Sequence, residues 1–299
     1  YKDRGDGMRK EFKEHIKNIS KLISYSLGSI KIKRLIIEEE EGDYSLRPQL
    51  HILLRAPTGS LKSTVLREIA LRTNGILLDE ATAPGLVGTI DSRTFQFIPG
   101  LAWTGRNRLI LMDEFKIRRK TDDWVVFLKL LEDQYYSRRI GIFSGKLEEF
   151  DDDLFVKVDK GQIEMKTRCA FVVATMKKFE SYRSEEFKAF LTRFIPYEYN
   201  FEIEEIKEII KKGRFLEVTE YNPKPEVRIT KREYSKILNF VEKHIERSDV
   251  AKENFARIVG DLVRIHAVKR NFSGKEALKI IQWKLQTYSK VGKYYKKGG

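Results

Sequence analysis

The stretch 50-LHILLRAPTGSLKST-64 decides the fold. Its first half is almost continuously apolar, the pattern of a strand buried on both faces of a parallel sheet. Pro57, Thr58 and Gly59 then break the strand, and a helical pattern begins near Lys62. Outward from this unit, 108-RLILMDEF-115 is a second buried strand, in which Leu109 to Met112 lead into two acids, Asp113 and Glu114. The segments 75-GILLDE-80 and 169-CAFVVATM-176 read as further strands, and 122-DDWVVFLKLLEDQ-134 as one of the helices between them. Strands alternating with helices predict an α/β fold, a central parallel sheet with helices on both faces.

Ahead of this core, Phe12, Ile16, Ile19, Leu22 and Ile23 recur at helical spacing between Met8 and Leu27, and a second short helical pattern covers Ser29 to Ile36. The acidic run 38-EEEEGD-43 is an expected exposed turn. After 195-IPYEYNF-201 no strong strand is expected. Four amphipathic helices follow: 202-EIEEIKEIIKKG-213, 230-TKREYSKILNFVEKHIER-247, 251-AKENFARIVGDLVRIHAVKR-270 and 273-SGKEALKIIQWKLQTY-288. The expected organisation is an α/β domain over 8–200, a small helical domain over 201–290 and a basic tail over 291–299. Trp103, Trp124 and Trp283 lie in apolar patterns and read as core.

Hydrophobic residues make up 41% of the 299 and charged residues 34%, which is the composition of a folded chain. A net charge of +14 favours a polyanionic partner such as nucleic acid, although the basic residues are spread along the chain and a solvated lysine-rich surface is the alternative. The single cysteine, Cys169, excludes an internal disulfide and a cysteine-based zinc cluster, and points to a reducing cytoplasm. No zinc is expected. The apolar runs are too short to span a bilayer and no signal segment opens the chain, so no membrane association and a cytoplasmic location are expected.

The chemistry concentrates in two places. The segment 55-RAPTGSLKST-64 resembles a Walker A loop, with Ala56 and Leu61 at the two positions usually held by glycine. Such a loop needs backbone N–H groups around phosphate at a helix N-terminus, a lysine for the terminal phosphates and a hydroxyl for magnesium. Pro57, Thr58, Gly59, Ser60, Leu61, Lys62, Ser63 and Thr64 are therefore the candidate ATP-binding residues. The strand ending in Asp113 and Glu114 has the form of a Walker B. Asp113, with Ser63, is the candidate Mg2+ ligand, and Glu114 is the candidate that polarises the attacking water.

Taken together, these segments resemble the P-loop AAA+ ATPases, most closely the ATPase module of the minichromosome maintenance (MCM) replicative helicases. The resemblance runs from about Gly28 to Tyr288 and implies a three-layer AAA+ fold followed by a small α-helical lid. It includes 45-SLRPQLHILLRAPTGSLKS-63, similar to the MCM lead-in to Walker A. The stretches 81-ATAPGLVGTID-91 and 97-FIPGLAWTGRNRLILMDEF-115 resemble the region of the helix-2 insert, here shortened to a few residues around Asp91 to Gln96. The segments 127-FLKLLEDQYYSRRIG-141 and 163-IEMKTRCAFVVATM-176 resemble the flanks of the pre-sensor-1 hairpin, with extra sequence between them. In the family a basic residue at that hairpin's tip grips DNA. Lys157 and Lys160 are the candidates here, with solvated hairpin charges beside 148-EEFDDD-153 as the alternative. The family's sensor 1, usually asparagine, falls on Met176, with Thr175 beside it as the possible substitute. The segment 190-FLTRFIP-196 resembles the arginine-finger motif and makes Arg193 a residue that would reach a neighbour's nucleotide. Arg257 matches sensor 2. Arg264, seven residues on, shares its helix face, so that one arginine can face phosphate and the other solvent.

The function these resemblances imply is a ring-forming, ATP-driven helicase or translocase that acts on single-stranded or forked DNA as a homo-oligomer, a hexamer in the family. A protein-remodelling or regulatory ATPase, and a DNA-binding ATPase switch that does not unwind, are the alternatives.

Overall fold

The structure, a computed structural model, describes residues 3–79, 82–91, 93–94, 96–113, 121–139, 146–178, 185–245, 249–271 and 273–291. It opens with helix α1 (Asp3–Ile30), followed by strands β1 (Arg34–Ile37), β2 (Tyr44–Leu46) and β3 (His51–Arg55). Next come α2 (Lys62–Thr73), β4 (Ile76–Leu78), the short α3 (Ala83–Val87), β5 (Gly88–Ile90), β6 (Phe97–Pro99), α4 (Leu101–Thr104) and β7 (Leu109–Met112). Helix α5 (Thr121–Glu132) leads to β8 (Tyr135–Arg139), β9 (Lys146–Asp151), β10 (Leu154–Asp159), β11 (Gln162–Lys166) and β12 (Ala170–Thr175). The rest comprises α6 (Glu185–Thr192), β13 (Phe194–Glu198), α7 (Ile203–Lys212), β14 (Glu226–Ile229), α8 (Lys231–His244), α9 (Asp249–Lys269) and α10 (Gly274–Lys290).

The core is a five-stranded, wholly parallel sheet in the order β13-β3-β12-β7-β4. The residues of β7 and β12 are buried throughout, as expected for strands covered on both faces. One face packs against α1, α2 and the helices after residue 200, in a single apolar cluster. It includes Ile19 and Leu22 of α1, the register partners Ile52 and Val172 of the sheet and, from α9, Ile258 and Val263. The other face packs against α5 and a second sheet, through Phe127, Phe171, Phe190 and Val156. That second sheet is antiparallel, in the order β8-β11-β10-β9.

Two expectations are corrected. The pattern read as a second helix from Ser29 to Ile36 is the end of α1 followed by strand β1, which pairs in parallel with β14 and antiparallel with β2. In 34-RLII-37 three successive buried apolar residues need cover on both faces, which a strand between two others supplies and a one-sided helix does not. Strand β14 is likewise a strand in the region expected to be purely helical. Its exposed-buried alternation over four residues is too short to register as a pattern. Through β1 and α1 the beginning of the chain is thus built into the helical layer. Gly28 lets α1 pack closely on α9, since a Cβ there would lie 2.5 Å from Val268 Cγ1. Trp103 is buried, Trp283 is half-buried against the main cluster, and the Trp124 side chain lies outside the described residues.

Candidate functional site

The carboxyl ends of β3, β12 and β7 lie side by side, and the sequence-predicted loop and acid meet there. Beyond Arg55 the chain turns through Pro57 to Leu61 and enters α2 at Lys62. Gly59 has φ +87° with open space where a Cβ would stand, so the loop crest is bare backbone. Leu61 caps α2 from the left-handed region, at φ 54° and ψ 29°, a conformation glycine adopts freely and leucine rarely. The loop therefore keeps the backbone shape of a glycine position without the glycine. Ser60 is buried and donates to Asn200 Oδ1 at 2.7 Å, tying the loop to the chain after β13. Ser63 and Thr64, in the first turn of α2, are half-buried.

Lys62 Nζ stands 3.6 Å from Asp113 Oδ1, with both side chains largely shielded from solvent. That oxygen is buried and accepts no hydrogen bond among the described residues, while the Asp113 backbone N–H is held by Leu78 O at 2.9 Å. An anionic oxygen with a free lone pair, facing an ammonium and the N-terminus of a helix, is a place for a cation and phosphate together. Sequence reasoning did not single out Tyr199. Its buried hydroxyl also has no hydrogen-bond partner among the described residues, and burial followed by the negative charge of Asp113 pushes its pKa up. Glu114 lies outside the described residues.

Strand β12 runs between the loop strand and the acidic strand, so its end falls between the ends of β3 and β7. Thr175 is buried there and its hydroxyl accepts from the Lys177 backbone N–H at 3.1 Å, so it does not point freely toward the loop. Met176 is the exposed residue at this point, and its sulfur accepts from Thr58 Oγ1 at 3.5 Å. The position expected to carry a polar sensor thus carries a thioether in contact with the loop crest.

Arg193 and Arg257 gather elsewhere. Arg193 immediately precedes β13, whose first residue pairs with His51, the first residue of β3. That is the amino edge of the sheet, a strand length of about 17 Å from the loop. Arg257, on α9, meets Arg193 there. Both guanidinium groups donate to the carboxylate of Glu132, the last residue of α5, and Arg193 also donates to Ala189 O. Burial acts to raise the Glu132 pKa, but the two arginines overcome it and hold the group below its usual range. His51 fixes the neighbouring backbone by accepting from the Phe171 N–H at 3.0 Å and donating to Leu131 O at 3.1 Å, and burial and then the Arg47 charge keep it neutral.

Arg264 departs from expectation. It does not face solvent but is buried, donating to Asp261 Oδ1 at 2.9 Å and Arg47 O at 2.7 Å. Asp261 also pairs with Lys284, which is completely buried. Near the Arg193–Arg257 pair there is thus a positively charged layer, in which two buried nitrogens of Arg47 have no hydrogen-bond partner among the described residues. Neither Glu132 nor Arg47 carried a recognisable signal, because each becomes significant only through residues far away in the chain.

The extra sequence around the hairpin forms β9 to β11. Lys157 is not at a tip. It sits in mid-strand on β10, opposite Glu148 and Glu164, with its ammonium 5.3 Å and 5.2 Å from the ring centroids of Phe150 and Phe155. Lys160 does occupy a turn, with φ 46° ahead of Gly161 at φ 76°. The register brings Arg139 and Lys146 to the same end of the sheet. The residues expected to form a shortened insert lie at the β5–β6 hairpin, where Asp91 accepts from the Arg93 and Thr94 N–H groups.

Among the described residues no helix is long and apolar enough to cross a membrane, and no group of three or more His, Cys, Asp or Glu is placed to hold a metal ion. Cys169 is buried and unpaired, and burial pushes its thiol up to about 12. No protein-family model matches the chain, and no curated protein matches it either.

Proposed function

We propose that this chain is a P-loop ATPase of the AAA+ type, similar to the MCM module, that works as a ring in which each ATP is held by one subunit and completed by the next. The observation that carries this reading is the separation of two incomplete half-sites. The loop, Lys62 and Asp113 lie at the carboxyl edge of the sheet, while Arg193 and Arg257 lie at its amino edge. No arginine side chain spans the strand length between them, so the two halves can meet on one nucleotide only between subunits. Contacts of two unlike surfaces repeat head to tail, and a closed rotation makes a ring; a hexamer is the size the resemblance implies.

In this reading the backbone from Pro57 to Thr64 surrounds the phosphates, Lys62 neutralises the terminal ones and Glu114 orients the attacking water. The hard oxygen donors of Ser63 and Asp113 fit Mg2+, which supplies charge neutralisation at the phosphates. The buried Asp113 oxygen, which faces Lys62 but accepts no hydrogen bond among the described residues, is the feature that supports this fit. Arg193 and Arg257 would leave Glu132 for the neighbour's phosphates. The work coupled to turnover is proposed to be movement along single-stranded or forked DNA, supported by the net charge of +14 and the basic turn at Lys160.

The experiment is ATP turnover and light-scattering mass of the wild type, Lys62→Ala and Glu114→Gln with ATP and a forked DNA. Turnover absent from both variants, retained ATP binding in Glu114→Gln, an ATP-dependent oligomer and strand displacement by the wild type support the reading; a monomer without turnover overturns it. Met176 against Thr58 favours one second reading, a slow ATPase switch that binds DNA and does not unwind it. Turnover and oligomerisation without strand displacement would select it.

A further inference from the structure

Outside both half-sites and the hairpin sheet, α1 and α10 enclose a cleft of about 440 Å³. Lys10, Lys13, Lys17 and Lys21 line it from α1, and Lys275 and Lys279 from α10. The four on α1 stand at helical spacing, so they form one row along the cleft with an axial interval of about 5–6 Å. Two of the six are neutralised, Lys279 by Glu14 and Lys21 by Glu276, each at 2.5 Å. Lys10, Lys13, Lys17 and Lys275 have no ion pair or hydrogen bond among the described residues. Four uncompensated ammonium groups in one concave surface repel each other, and the natural relief is a polyanion.

We propose that this cleft holds a single strand of nucleic acid by its phosphate backbone. The shape and chemistry of the lining select this occupant. A flat anionic bilayer cannot enter a concave cleft, and none of the large hydrophobic side chains exposed among the described residues lines it, so nothing is offered to insert into lipid. The same lack leaves no seat for the apolar face of an acidic helix, because Leu22 and Ile280 at the floor are buried in the core. A duplex is wider than the gap between two adjacent helices. A row of cations over a floor that includes the half-buried ring of Trp283 suits a single strand, with phosphates on the lysines and a base against the indole. The site is independent of the ATPase reading, since it needs neither ATP nor an oligomer.

The test is binding of a labelled oligothymidylate without nucleotide, measured against salt, for the wild type and for a variant with Lys10, Lys13, Lys17 and Lys275 all changed to Ala. The expected result is at least a tenfold loss of affinity at low salt and a fall in the log–log salt slope of about 3, from four contacts at about 0.7 each. The thermal midpoint should not fall, because the four side chains have no partners among the described residues to lose and their mutual repulsion is removed. The same four positions changed to Arg should retain binding. Unchanged affinity and slope in the Ala variant overturn the proposal. So does equal competition by polyglutamate at matched charge, or lysine-dependent binding to phosphatidylserine vesicles as tight as to the oligonucleotide.

Discussion

Arg193 and Arg257, one ahead of the edge strand and the other in the helical layer, share a single carboxylate, that of Glu132. Among the described residues, neither arginine hydrogen-bonds or ion-pairs with its own chain's loop. If both serve the neighbour's nucleotide, Arg193→Ala should lower ATP turnover by at least about a hundredfold while ATP binding persists. Lys62→Ala should be inactive for the opposite reason. Mixed in equal amounts, the two inactive proteins should regain about a quarter of wild-type turnover, because a random ring pairs an intact loop with an intact arginine at that frequency. A mixture as inactive as its components would show that the two halves do not serve one site across a subunit boundary.

Glu132 also makes an acid-range prediction. Burial alone would raise its pKa, but the two guanidinium groups reverse this and depress it. The unfolded chain therefore takes up the proton first as pH falls. The stabilisation from the pair is complete above the ordinary glutamate value of about 4.3 and is lost as pH drops through the lower native value. Thermal midpoints of the wild type should decline over that range more steeply than those of Glu132→Gln. Parallel profiles would mean that the carboxylate contributes no pH-dependent stability.

The parallel sheet was legible because β3, β7 and β12 are apolar runs of strand length, the first ending at Pro57, the second at Asp113 and the third at the lysines after Met176, and burial on both faces leaves no other reading for such runs. The loop and Asp113 followed from the same punctuation. β1 was hidden because its three buried residues also fit a helix continuing from α1, and only the pairing with β14, far along the chain, decides between them. The Glu132 carboxylate, the buried Asp261–Lys284 pair and the mid-strand site of Lys157 depend on contacts between distant segments, to which local periodicity is blind.

Leu61 carries a prediction about the loop. Its left-handed backbone costs a leucine about 1–2 kcal/mol relative to glycine. Leu61→Gly removes that cost but also loses a side chain packed against the core and gains unfolded-state freedom, so chemical denaturation should change by no more than about 1 kcal/mol. Leu61→Val, β-branched in the same conformation, should destabilise by about 2 kcal/mol or more and weaken ATP binding. Equal stability of the Val variant and the wild type would exclude a left-handed Leu61.

The buried charges under the arginine pair predict an asymmetry. Asp261 serves both Lys284 and Arg264, so Asp261→Asn leaves two buried cations without their counter-charge and should cost about 3–5 kcal/mol in denaturant unfolding. Lys284→Met keeps the apolar stem and leaves Asp261 paired with Arg264, and should cost less than half as much. Reversal of that order would show that Arg264, not Asp261, dominates the network.

Lys160 and Lys157 separate the two meanings of a basic hairpin. Lys160 sits in a turn, at the end of the sheet shared by Arg139 and Lys146, and is free to approach a phosphate. Lys157 faces Glu148 and Glu164 across its two neighbouring strands, so a phosphate approaching it meets two carboxylates as well. Asparagine tolerates a left-handed backbone, so Lys160→Asn removes the charge without disturbing the turn. It should weaken oligonucleotide binding about threefold to tenfold and lower the salt slope by about 0.7, whereas Lys157→Ala should leave both nearly unchanged. If Lys157→Ala has the larger effect, the strand face rather than the turn meets the nucleic acid, and the charges at the end of the sheet are a solvated surface.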